Sequence, residues 1–117
     1  MNLTTTRALW RATLVGTVLQ LAMVVGGHYV PAIKNLFAPG GMLISLLAGW
    51  LYARMQAGGT RGATAIGGLV AGAACGFLGI LESVYLGDVP TSLLAFGTAG
   101  SAVTGLLGGL VGYRRPR

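Results

Sequence analysis

Acidic side chains are what this chain lacks most. Only Glu82 and Asp88 are present among 117 residues, beside one histidine, His28, and one cysteine, Cys75. With a single histidine and two acids, no Ser-His-Asp set can be assembled at a shared depth. Metal-ligand spacings of the CxxC type are missing. One cysteine cannot close an intrachain disulfide, so it carries no information on redox compartment. Charge of any sign is scarce as well. Charged residues make up 9% of the chain, against about a quarter in a soluble domain. Too little polar surface is left to coat a water-soluble globule of this size. The glycine-rich pieces do not follow strands, which excludes a phosphate loop. These absences give the expectation of a non-enzymatic protein with no catalytic residue, no cofactor and no resident metal.

The formal charge of +6 would suit nucleic acid if the basic residues clustered on one solvated face. They do not. They punctuate apolar runs, so no nucleic-acid partner is expected.

Hydrophobic residues are abundant, at 54%, and fall into four long stretches. The spans are about 9–30, 37–54, 63–86 and 92–113. Some 20 apolar residues at about 1.5 Å each cross a hydrocarbon core of about 30 Å. Thr4, Thr5 and Thr6 offer N-cap hydroxyls before span one. Pro39 suits the first turn of span two. Gly58, Gly59 and Gly62 surround Arg61 in the loop before span three. The turn Gly87-Asp88-Val89-Pro90 ends span three. Barrel strands would instead need about ten residues of strict alternation, which these runs do not show. Span one has signal-peptide features in Arg7, Arg11 and the small residues Val25-Gly26-Gly27, but its apolar run is long for one. The expected fold is therefore an all-α membrane protein: a single domain, residues 1–117, of four transmembrane helices in a compact bundle.

Seven of the eight basic residues fall in three segments: Arg7 and Arg11, Arg54 and Arg61, and Arg114, Arg115 and Arg117. The positive-inside rule then puts both termini and the middle loop in the cytoplasm, in a cytoplasmic (inner) membrane of bacterial type. Lys34 and Asp88 belong to the outer loops. Trp10, Trp50, Tyr52 and Tyr113 are expected at the inner interface, and Tyr29 and Tyr85 at the outer one.

The two halves of the chain echo each other sixty positions apart. Gly16 matches Gly76, Gly27 matches Gly87, Gly40 matches Gly100, Gly49 matches Gly109 and Arg54 matches Arg114. His28 and Asp88 occupy equivalent places. Such matches arise either by chance, in a composition dominated by Gly, Ala and Leu, or by duplication, and duplication would give two tandem parallel helical hairpins related by a pseudo-axis along the membrane normal.

Small residues recur every four positions: Gly41, Ser45, Gly49 and Ala53 in span two, Gly68, Gly72 and Gly76 in span three, Gly97, Ser101, Gly105 and Gly109 in span four. Residues four apart share a helix face, and small ones let backbones approach in lipid, where no hydrophobic force gathers helices. The stripes serve packing inside one bundle or assembly of several chains. Homo-oligomers, larger membrane complexes and the bilayer itself are the expected partners.

Ionisable and strongly polar groups near membrane depth are the candidate sites. Glu82 is the one acid inside a span, one turn from its outer end. It reaches interfacial water, pairs with His28 or Lys34, or faces inward as a proton or cation site. His28, Asp88 and Glu82 together form the one conceivable external metal cluster. Gln20 is the strongly polar side chain near the centre of span one. In size and span number the chain resembles the small multidrug-resistance exporters and the small fluoride channels. Span one has no acid where those exporters carry a glutamate, so the resemblance assigns no site residue. The sequence reads as a helix-packing module or accessory membrane subunit; the alternative is a small ion or solute transporter or channel subunit using Glu82.

Overall fold

The computed structural model describes residues 3–56 and 59–114, and every regular element among them is helical. Helix α1 covers Leu3–Tyr29, α2 Pro31–Lys34, α3 Phe37–Met55, α4 Arg61–Tyr85 and α5 Leu93–Gly112. Four of the five correspond to the four apolar runs. The fifth, α2, is a single turn in what reads as a loop, so the count of four is corrected to five. By length and composition, three helices are long and apolar enough to cross a membrane: Thr5–Tyr29, Arg61–Tyr85 and Leu93–Gly112. Helix α3, of 19 residues, is not among them. Pro39, Gly40 and Gly41 near its start and Tyr52 and Arg54 near its end dilute its apolar character.

Local chemistry sets the helix ends. Helix α1 already includes Thr4, Thr5 and Thr6 in its first turns. It stops at Val30, whose backbone is extended (φ −122°, ψ 107°), because Pro31 disfavours a helical residue before it. Thr60 caps α4, its hydroxyl accepting from the Ala63 N–H at 3.1 Å. Gly87, at φ +78°, ends α4 in a paired hydrogen-bond motif. The Gly87 N–H donates to Val84 O and the Asp88 N–H to Ser83 O, both at 3.0 Å. Gly58, Arg115 and Arg117 lie outside the described residues.

The four long helices make an elongated bundle of 47 × 21 × 20 Å. Contacts fix their directions. Gln56, after α3, donates to Thr5 Oγ1 near the start of α1, so α1 and α3 are antiparallel. Gly109, late in α5, lies against Thr64 and Ala65 at the start of α4, so that pair is antiparallel too. Gly16 lies against Cys75 and Gln20 against Gly79, which sets α1 beside α4, running the same way. Likewise Leu46 meets Gly108 and Trp50 meets Gly112, placing α3 beside α5. Helices α3 and α4 also pack together across the middle, whereas α1 and α5 stand at far corners. A two-fold axis exchanging the hairpins would make those two diagonals equivalent. The expected pseudo-axis is therefore replaced by two hairpins set side by side, residues about sixty apart lying at one level.

The interior is built of small residues. Ala8, Ala12, Ala48, Ala71 and Cys75 form the core with Tyr52, while Leu14, Leu43, Val103 and Val111 face outward. Tyr52 corrects its sequence reading: it is buried, its ring lying over Gly67, where no side chain competes for the space. Trp10, Tyr29 and Tyr85 are exposed.

Candidate functional site

Glycine decides how close the helices come. A Cβ on Gly72 would stand 2.6 Å from Ser101 O and 2.7 Å from Gly105 Cα. One on Gly109 would stand 2.6 Å from Thr64 O, and one on Gly68 2.9 Å from Gly109 Cα. Gly49 abuts the Gly105 backbone, and Gly76 abuts the Ser101 side chain. The stripes of spans two, three and four are thus used within one chain, with Ser45, Gly49, Ala53, Gly68, Gly72, Gly76, Ser101, Gly105 and Gly109 all buried. Gly16, Gly79, Gly108 and Gly112 pack as tightly and belong to none of the three stripes. Gly108 and Gly112, four apart, were legible as a second stripe on α5.

A polar thread crosses the middle of the bundle. Gln20, 3% exposed, donates from Nε2 to Gly41 O at 3.0 Å and to Ser45 Oγ at 3.3 Å. Ser45 donates onward to Gly72 O at 3.3 Å, and Cys75 Sγ donates to the same carbonyl at 3.4 Å. Helices α1, α3 and α4 are joined at one level by this thread. Gln20 was legible as a site candidate; its partners required the fold.

The end of the bundle away from the described arginines carries the ionisable cluster. Glycine at 87 turns the chain so that Asp88 projects toward α1. The Asp88 carboxylate meets His28 Nδ1 at 3.0 and 3.3 Å and Lys34 Nζ at 3.6 Å. Helix α2 delivers Lys34, since its single turn follows directly from the break at Val30. Glu82 does not join this group. It pairs with neither His28 nor Lys34, and its Oε2 is buried without a hydrogen bond. Among the described residues, no three His, Cys, Asp or Glu side chains come together as a metal-holding group. The conceivable trio of His28, Asp88 and Glu82 thus reduces to a pair with Lys34 beside it.

Between this cluster and the polar thread lies a cleft of about 500 Å³, which composition and spacing did not reveal. Gln20, Met23 and Val24 of α1 and Gly79, Ile80 and Ser83 of α4 form one wall. Phe37, Ala38, Gly41 and Met42 of α3 face Leu93, Phe96 and Gly97 of α5 across it. Gly41 and Gly97, outermost in their stripes, line this opening rather than close it. Lys34 and Asn35 stand at its mouth, and Glu82 is not part of its lining.

No known protein family, curated protein or solved structure matches this chain.

Proposed function

We propose that the chain is a four-span integral membrane protein with both termini on the cytoplasmic side. It works without covalent chemistry, as a compact helical module or as a subunit of a larger membrane complex. One observation carries the reading: small residues fill the interior, large apolar residues face outward, and the described arginines gather at one end, with Lys34 at the other. Arg54 lies over Trp50 and Arg61 over Tyr113, each at 5.4 Å, and Arg114 bonds the Arg54 carbonyl, so the middle loop and the end of α5 share a level. A soluble fold inverts that distribution of side chains. Helix α3 counts as the fourth span, because its 19 residues at about 1.5 Å each approach the thickness of the hydrocarbon core.

Cysteine accessibility tests the topology. In a Cys75→Ala background, a membrane-impermeant maleimide applied to intact cells should label Asn35→Cys and spare Thr60→Cys. Labelling of Thr60→Cys from outside would reverse the orientation, and labelling of both would remove α3 as a span.

The second reading, a small transporter or channel subunit, is favoured by the cleft, which reaches in to Gln20, about a third of the way down α1 from its Tyr29 end. Glu82 does not line that cleft, so a transporter of this shape works through Gln20 and its neighbours rather than through a carboxylate.

A further inference from the structure

We propose that the cleft is a binding site for a neutral, mainly apolar molecule carrying one carbonyl or hydroxyl group. Its volume of about 500 Å³ sits within the range of about 300–1,000 Å³ usual for small-molecule sites. Most of its wall is apolar: Met23, Phe37, Met42, Ile80, Leu93 and Phe96. Such a wall favours an apolar body and strips water from it.

Charge and hydrogen bonding narrow the class. No acid lines the cleft, so a cation entering it would be desolvated without a counter-charge. Its one cation, Lys34, is already held by Asp88 at 3.6 Å, which leaves little pull on an anion. Gln20 spends Nε2 on Gly41 O and Ser45 Oγ. Ser83 differs. It is 3% exposed, lines the cleft, and its hydroxyl has no hydrogen-bond partner. Serine within a helix ordinarily bonds a carbonyl one turn back when nothing else is offered. Since the Ser83 hydroxyl makes no bond where it stands, turning about χ1 to meet a ligand breaks none. The Ser83 hydroxyl can thus meet a carbonyl or hydroxyl on the ligand. The site depends on the bundle geometry and not on which side of the membrane it opens, so the topology map and the binding test fail independently.

Benzophenone has this chemistry, an apolar body with one carbonyl, and on irradiation it inserts into nearby C–H bonds, favouring methionine. The full chain in lipid nanodiscs is irradiated with increasing benzophenone and the labelled peptides are identified by mass spectrometry. Labelling should saturate at Met23 and Met42, which line the cleft, and spare Met55, which packs near the arginine end. Excess xanthone should compete. A benzophenone bearing a trimethylammonium group should not label the cleft. Ala38→Phe, which adds bulk from an exposed position on the lining, should abolish saturable labelling. Ser83→Ala should weaken half-saturation about fivefold, the worth of one ordinary hydrogen bond. Unsaturable labelling of Met23 and Met42, as expected if lipid chains simply fill the cleft, would overturn the site. Equal labelling by the cationic probe would overturn its selectivity, and an unchanged half-saturation in Ser83→Ala would overturn the role of the hydroxyl.

Discussion

At the scale of single residues, the fold turns on which glycines touch backbone. Gly72 and Gly62 sit on the same helix and differ completely in surroundings. A Cβ on Gly72 meets Ser101 O and Gly105 Cα, neither of which can rotate away, so α4 and α5 must separate. Gly72→Ala should cost about 1–3 kcal/mol, the usual range for overpacking, measured by reversible unfolding in mixed detergent. Gly62 has nothing within 4 Å of a Cβ, and Gly62→Ala should be neutral or mildly stabilising in the same assay. Gln20 offers a second contrast. Gln20→Met keeps the volume and removes both bonds to α3, and since interhelical hydrogen bonds in membranes average about 0.6 kcal/mol each, the expected loss is about 1 kcal/mol. A loss near zero would mean that the thread only fills space. The four-residue spacing made the glycine faces legible in the sequence. It could not show that Gly41 and Gly97 end at a cleft while Gly72 and Gly105 meet backbone to backbone.

At the scale of elements, helix ends with strong local chemistry were legible and those set by tertiary packing were not. Gly87 and Pro90 marked the end of α4 because a positive φ and a missing N–H are properties of the residues themselves. Helix α2 escaped notice since four residues offer no periodicity. Tyr52 resembled an interfacial anchor by position, yet the bare surface of Gly67 on another helix draws it inward. Gly87→Ala forces a Cβ into the left-handed region and should cost about 1–2 kcal/mol. It should also displace Asp88 from His28, visible as a changed His28 ring resonance by NMR. Thr60→Ala removes one cap and should cost about 1 kcal/mol without disturbing the opposite end.

At the scale of the whole molecule, the places of the four long helices were legible because each apolar run must satisfy its backbone within one helix, whereas the fifth helix and the weaker apolar character of α3 were not. Neighbour relations were not. Stripe faces say that helices approach closely and not which ones, so a symmetric axis and a side-by-side arrangement read alike. The cleft belongs to the same category, since it lies beyond the close Gly49–Gly105 contact, between the starts of α3 and α5 and the later turns of α1 and α4. Because the buried stripes are spent inside one chain, Gly105→Leu should lower the resistance of the monomer itself to sodium dodecyl sulfate, followed by circular dichroism. Loss of an oligomer with the monomer left intact would show that the stripes serve assembly instead.

The side-by-side hairpins also have an electrostatic consequence. Helices α3 and α5 run the same way as neighbours, so their carbonyl ends, each equivalent to about half a negative charge, lie together. Arg114 reaches across that junction to the Arg54 carbonyl at 2.7 Å. The arginines at this end therefore screen two parallel dipoles held at close range, and charge placement and helix packing become one constraint rather than two.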